Sequence, residues 1–404
     1  MKDQNNSGIL KSSLILLLMV NIFNLLNFIF QIFIAHNLDV IAYGVFTSLF
    51  SVIYIFGIFS ESIQLTIAKK VAESKSNKNV RTLFSSAMNG GFIISTMLLA
   101  VYLLILIVVN KVFQIPLSLI LFNGCIVFLS LSSPVIRGIL QGQKRFFDLG
   151  LNMISEGTVK LGLGVLFLIM GWEVYGVFGA IVASMIISLL YGLVQIKEIF
   201  KFKKENKNNL NLLSIFKIDV TLVMSCILLF FMLDVFIARA VLSPELAGYY
   251  AIASTIAKTF FIGTMPISKT MLTHVVSAKS KNKSLIFRKS LFLLILILLV
   301  GFVLSYLFSD IAVLLFGGAD KEIAAGVLPI VAAAVSLLAI SNMVLSYALA
   351  LDKVKNNLLF YLALSVLTLI IALSLAPSTL IGFSSMYLLI SIIFLIVSIV
   401  VPRW

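Results

Sequence analysis

The stretches FIAHNLDVIAYGVF (33–46) and FIARAVLSPELAGYY (236–250) lie half a chain apart and read alike. With one inserted residue they align at an offset of 203 to 204 positions in a chain of 404, which puts Gln31 opposite Asp234, His36 opposite Arg239 and Gly44 opposite Gly248. Each stretch runs from the end of one apolar segment through a short polar turn into the next. The repeat predicts two halves of the same topology, related by an axis along the membrane normal, with a path between them.

What surrounds the repeat says what solvent it lives in. The chain is 61% hydrophobic and only 11% charged, whereas soluble domains are roughly half apolar and about one-quarter charged. Apolar runs recur near 12–35, 42–66, 86–110, 116–138, 149–172 and 174–196, and again near 217–241, 249–276, 290–309, 325–350, 358–375 and 380–400. About 20 apolar residues at about 1.5 Å per residue cross the hydrocarbon of a bilayer. Backbone groups in lipid find partners within their own segment, so the runs are helices. Strict alternation over about ten residues, the signature of a membrane barrel, does not occur. The expectation is an all-α integral membrane protein of about 12 transmembrane helices in two pseudo-symmetric six-helix bundles around a central cavity. The expected domains are 1–196, a cytoplasmic linker at 197–216 and 217–404. Within that linker 210–216 has the pattern of a short interfacial amphipathic helix.

The net charge of +14 follows a topological pattern. Of the 30 Lys and Arg residues, all but six fall in the two tails and in the connections at 69–81, 137–145, 197–217, 279–289 and 353–355. Only Lys111 and Lys321 fall in connections on the other side. The positive-inside rule then places both termini in the cytoplasm and needs no nucleic-acid partner. The basic N-terminus precedes an apolar stretch too long for a cleaved signal and reads as a retained first helix. Cys125 and Cys226 sit singly in apolar runs, which gives no disulfide framework and reads as two buried thiols.

Charges inside membrane helices are costly, so each is a candidate for function. Glu156 and Lys160 are spaced i, i+4 on the fifth run, either a self-neutralising pair or a polar cavity lining. Lys258 and Lys269, eleven residues apart on the eighth run, fall within about 20° of one face and about 16 Å apart in height. Pro266 between them permits a hinge. Asp234 lies at a depth where it can pair with Lys258. Arg239 is close enough to a helix end to act as an interfacial anchor or as a cavity cation, and His36 reads as an interface residue. Asn21, Asn24, Asn27 and Gln31 form one stripe on the first helix, suited either to sugar hydroxyls or to neighbouring helices. A phosphate loop of the GxxxxGK[ST] kind, an HExxH pair and Cys/His metal spacings are all missing, so no metal site or cofactor is expected.

Together the two repeat stretches, the segment RGILQGQKRF (137–146) and the twelve-run, two-half plan resemble the multidrug/oligosaccharidyl-lipid/polysaccharide (MOP) exporter superfamily. Within it the chain looks most like the Wzx-type flippases of O-antigen and capsule repeat units. The resemblance implies alternating access in a bacterial cytoplasmic (inner) membrane, with a polyprenyl-diphosphate-linked oligosaccharide, a lipopolysaccharide or capsule precursor, carried to the outer leaflet. Other polysaccharide assembly proteins are implied as partners. On that reading Lys160, Lys258, Lys269 and Arg239 hold the diphosphate and the amide stripe meets the sugars. Glu156 and Asp234 are candidates for a coupling proton or sodium ion, the membrane potential being the alternative drive. A multidrug or cation exporter of the same fold is the nearest rival reading. A membrane polysaccharide polymerase or acyltransferase is a more distant one.

Overall fold

The computed structural model describes residues 2–74, 76–113, 115–202, 218–277, 280–351, 353 and 356–402. Side chains are not described at 2–14, 16–17, 55–56, 58, 61, 105–109, 111–113, 218–221, 224, 260, 273, 277, 280–281 and 356. The expected amphipathic helix at 210–216 and most of the linker lie outside the described residues.

Every element described is helical, as the composition requires. The helices are α1 (Lys2–Asn37), α2 (Val40–Glu73), α3 (Asn77–Phe113), α4 (Leu117–Leu129), α5 (Ser132–Gly142), α6 (Phe146–Ile169) and α7 (Glu173–Gln195). They continue as α8 (Ile218–Val241), α9 (Pro244–Ser277), α10 (Ser280–Leu307), α11 (Ser309–Gly317), α12 (Leu328–Ala350), α13 (Asn356–Ser374) and α14 (Leu380–Val400). Among the described residues nine segments, with α4 and α5 taken as one, are long and apolar enough to cross a membrane. The protein is a multi-pass, all-α membrane protein.

Several local features depart from the sequence expectation. The run at 116–138 is two helices. Pro134 has no N–H to give the Ser130 carbonyl one turn back, and the Ser60 hydroxyl donates to that carbonyl instead at 3.0 Å. A short helix, α11, and a 3-10 turn (Ala319–Gly326) precede α12, in the connection between the runs at 290–309 and 325–350. Lys321 in that turn is 1% exposed and donates to the Gly317 carbonyl at the end of α11, so it caps a helix rather than lying free in an outside loop. Pro266, by contrast, leaves α9 helical throughout. The thiols are not both buried: Cys125 is exposed and Cys226 half-buried, and neither is disulfide-bonded.

The chain forms two compact units, Met1–Asn37 with Phe56–Phe216, and Leu38–Ile55 with Lys217–Trp404. The first half of α2 therefore groups with the second unit, a placement that a division at 197–216 does not contain. In the first unit α1 and α6 run side by side in the same direction along Gly150, Gly157 and Gly164, spaced seven apart. A Cβ at these positions would overlap Met19, press Leu26 at 3.1 Å and meet Phe30 at 2.6 Å. Small residues let two backbones approach where lipid offers no hydrophobic drive between helices. The RGILQGQKRF segment works in the same way. A Cβ at Gly138 would lie 2.7 Å from the Gln64 carbonyl and one at Gly142 2.5 Å from that of Ala68, and Gln64 donates to Gln141 at 2.9 Å.

In the second unit α2 crosses α9 at Gly44 and Gly248, where a Cβ on Gly44 would sit 3.0 Å from the Gly248 Cα. These are the two glycines that the internal repeat makes equivalent. A Cβ on Gly248 would overlap the Val40 carbonyl, and the Tyr43 hydroxyl donates to Thr255 at 3.3 Å beside it.

Candidate functional site

Each unit holds a buried charged cluster. In the first, α6 presents Asn152, Glu156 and Lys160 at i, i+4 and i+8, so the three share a face. Glu156 does not neutralise Lys160 as a self-contained pair. Its carboxylate accepts from Arg137 of α5 at 2.6 Å, with the two side chains 12% and 16% exposed. Arg137 also donates from Nε to Asn152 at 2.9 Å and from Nη2 to Ser188 of α7 at 3.3 Å. Asn152 in turn donates to the Ser188 carbonyl at 2.8 Å. Arg137, counted from sequence as a base of a cytoplasmic connection, is thus an interior residue that ties α5, α6 and α7 together.

Lys160 is left with other company. It is 8% exposed, donates to the Asn27 amide oxygen of α1, and lies 5.0 Å from the centre of the Phe30 ring. Among the described residues no carboxylate lies within ion-pair distance of it. Asn27 donates onward to the Phe23 carbonyl at 2.9 Å. One turn further along α1, Gln31 has a buried Oε1 with no hydrogen-bond partner. Asn21 and Asn24, on the same stripe, are exposed. The charges of the cluster, Arg137, Glu156 and Lys160, leave one positive charge uncompensated in an interior where an ion costs several kcal/mol, about 2.5–3.5 on insertion scales.

The second unit spends its charges differently. Asp234 of α8 is fully buried, and α9 presents Tyr250, Ser254 and Lys258, again at i, i+4 and i+8. All three donate to its carboxylate, at 3.1, 2.7 and 2.7 Å. The expected Asp234–Lys258 ion pair is therefore present, and the acid named as a candidate for a coupling ion already has three donors. Lys258 also stacks over Phe231 at 5.3 Å, and the Tyr387 hydroxyl donates to the Phe230 carbonyl at 3.1 Å on the same wall. Lys269, on the same helix, is exposed and not part of this cluster. Arg239 is 6% exposed rather than snorkelled to the surface, and His36 is exposed and bonded to the Ile32 carbonyl at 3.1 Å.

The structure thus brings Glu156 and Lys160 to one cluster with Asn27, and Asp234 and Lys258 to another, while Lys269, Asn21 and Asn24 remain outside both. Among the described residues no three His, Cys, Asp or Glu side chains are grouped so as to hold a metal ion. Sequence reading missed Arg137, Asn152, Tyr250 and Ser254. For the last three the signal was present in the four-residue polar ladders that end in Lys160 and Lys258.

A helical, multi-pass chain with buried charged clusters in its interior has counterparts among solved structures. The fold matches an inward-facing multidrug resistance MATE transporter of the MOP superfamily, with a TM-score of 0.73 and 14% identity over 94% of each chain. It matches a lipid II flippase, MurJ, in an inward closed conformation equally well, with a TM-score of 0.73 and 14% identity over 97% of this chain and 88% of the other. A MOP-superfamily transporter from Pyrococcus furiosus, described as having a binding pocket of reversed polarity, matches with a TM-score of 0.55 and 15% identity over 98% and 94%. No curated protein sequence matches. The profile of the family described as "Polysaccharide biosynthesis protein" matches residues 9–273, more than half of the chain. The protein belongs to that family, and its fold is the one shared by the MOP-superfamily structures it matches.

Proposed function

We propose that the protein is a flippase that turns a polyprenyl-diphosphate-linked oligosaccharide from the cytoplasmic to the outer leaflet of a bacterial cytoplasmic membrane by alternating access, with both termini in the cytoplasm. The observation that carries this reading is the uncompensated charge of Lys160. A buried ammonium held only by an amide oxygen and a ring face lacks a strong partner, and an incoming diphosphate supplies one as a charge-assisted contact. Asn27 and Gln31, one turn apart beside it, offer amides for the adjoining sugar, and the unpartnered Gln31 Oε1 accepts a sugar hydroxyl. Asn21 and Asn24 extend the same stripe.

Membership in the polysaccharide biosynthesis family and the fold shared with a lipid II flippase support the cargo class. The rival cargo, a cationic drug, needs an open carboxylate. Glu156 and Asp234 are both engaged by cations within ion-pair distance, which favours an anionic cargo. A coupling proton or sodium ion would first have to displace Arg137 or Lys258. The membrane potential needs no such displacement, and an inside-negative potential favours outward movement of an anion by about 2.3 kcal/mol per charge per 100 mV.

The test is leaflet translocation of a fluorescent polyprenyl-diphosphate oligosaccharide in proteoliposomes, with and without an imposed potential. Intact protein should flip the lipid, Lys160→Gln at least tenfold more slowly, and Lys160→Arg close to the intact rate. Export of cationic dyes with no lipid flipping would overturn the cargo assignment.

A further inference from the structure

Arg81 of α3 is held by rings and not by an acid. It is half-buried, and its guanidinium carbon stands 4.3 Å from the centre of the Phe200 ring and 5.5 Å from that of Phe84. Phe84 and Phe200 meet edge to face at 5.3 Å. Phe200 belongs to a 3-10 turn, Lys197–Lys201, that follows α7 and is pinned to the end of the first unit by Ile199, which packs in one cluster with Val80, Phe84, Leu140 and Leu149. Two rings attract the charge but offer no oxygen to five N–H donors. Among the described residues no carboxylate lies within ion-pair distance of Arg81, and its guanidinium makes no hydrogen bond.

Other bases at this end are provided for. Arg145 and Lys201 each have an acid, Asp148 at 2.7 Å and Glu198 at 2.6 Å. Arg81 has instead Lys78, exposed and three residues back on the same face, and like charges at that spacing repel. An anion between the two removes the repulsion. Over 69–81, 144–148 and 197–201 the described residues hold eight Lys or Arg against three Asp or Glu. Exposed rings stand among them, Phe147 at 54%, Phe200 at 41% and Phe202 at 36%. Arg81 is the fifth residue of the apolar span Asn77–Leu104, which is headgroup depth. Cations and rings at the ends of spans fit a bilayer interface, and the excess of positive charge fits an anionic leaflet. Topology accounts for the exposed lysines. It does not account for a half-buried arginine set over a ring that the chain folds back to supply.

We propose that Arg81, backed by Phe84 and Phe200, seats the phosphate of an anionic membrane phospholipid, and that this lipid clamps the Lys197–Lys201 turn to α3. The guanidinium fork takes the two unbridged oxygens of the phosphodiester, and Lys78 adds charge beside it. A zwitterionic phospholipid has the same phosphate but brings a cation of its own among the bases, so the seat selects anionic lipid. The turn lies where the chain leaves the first unit, and lipid composition therefore sets how firmly that exit is held. None of this rests on the cargo.

The experiment uses the full-length protein in phosphatidylcholine nanodiscs with a rising share of phosphatidylglycerol, at constant ionic strength. Trypsin cleavage after Lys197 and Lys201 is timed against cleavage in 279–289, a basic connection of the second unit that reports surface charge alone. Native mass spectrometry identifies the phospholipid that stays bound. Phosphatidylglycerol should slow cleavage of the turn about fivefold relative to that reference and be retained in preference to phosphatidylcholine. Arg81→Gln should lose both effects, and Arg81→Lys, which keeps the charge but loses the fork, should need about tenfold more phosphatidylglycerol. If Arg81→Gln does not fold, the Arg81→Lys arm decides. Equal protection in intact and variant protein, or equal retention of the two lipids, overturns the seat. So does protection by inorganic phosphate in pure phosphatidylcholine, which makes the ligand a free anion, or displacement of phosphatidylglycerol by a trace of polyprenyl diphosphate, which gives the site to the cargo. A protein that flips no lipid-linked sugar yet shows the phosphatidylglycerol effect through Arg81 keeps the seat and loses the flippase reading.

Discussion

The two units solve one construction problem with opposite results. Each carries a polar ladder at four-residue spacing, Asn152, Glu156 and Lys160 on α6 and Tyr250, Ser254 and Lys258 on α9, and each ladder ends in a lysine. In the second unit every rung converges on Asp234, so lysine and acid cancel and the carboxylate is saturated. In the first, the acid of the ladder is drawn off by Arg137, and the lysine is left to an amide and a ring. The same spacing therefore builds a closed structural pair in one place and an open cationic site in the other. The difference lies in which neighbour supplies the counter-charge, not in the ladder itself.

The comparison breaks most visibly at Asp234. Replacing it with alanine strands Lys258 in the interior, and breaking such a pair costs about 3–5 kcal/mol. Thermal unfolding of the purified protein should show the loss, and Lys258→Met in the same chain should restore most of it, because the stranded charge goes too. An equal loss in the single and double variants would mean that Tyr250 and Ser254, not the ion pair, hold the cluster. Glu156→Gln is the matching change in the first unit and should cost less, about 1.5–3 kcal/mol. Arg137 keeps Asn152 and Ser188 as acceptors when the carboxylate is gone, so its desolvation is partly met. A cost as large as that at Asp234 would show that the first cluster is as closed as the second.

Much of this was legible from sequence, and the reasons for the rest are specific. Twelve apolar runs map onto helices because membrane helices announce themselves by length and composition alone. The pair Asp234–Lys258 was expected with the second helix starting near 249, which put both residues at similar depth; α9 in fact starts at Pro244, so Lys258 lies fourteen residues along it and still donates to the acid at 2.7 Å. Arg137 was not, because positive charge near a helix end normally marks topology. Pro134 splits the fourth run and makes α5 a separate helix that carries the arginine to Glu156. Glycines at 150, 157 and 164 fix which face of α6 meets α1, and so which residue Lys160 finds, yet a seven-residue glycine period is invisible to a hydropathy reading. The contact between Gly44 and Gly248 is the reverse case: the repeat made them equivalent, and only coordinates show that they touch.

The smaller predictions sharpen the claim that the first cluster is open. Lys160→Met removes a buried charge with no acid partner, so it should leave stability within about 1 kcal/mol of the intact protein or raise it slightly, while translocation falls. The separation of the two readouts is what matters, since a structural lysine would lose both together. The smallest effect is expected at Gln31→Leu. A buried acceptor with no partner contributes only its desolvation cost, so its removal should be neutral or stabilising by less than about 1 kcal/mol. If Gln31 is there to meet a sugar hydroxyl, the same substitution should slow translocation of the oligosaccharide-bearing lipid but leave that of a polyprenyl diphosphate without sugar unchanged. Equal slowing of both would assign Gln31 to the packing of α1 against α6 and confine the open part of the cluster to Lys160 alone.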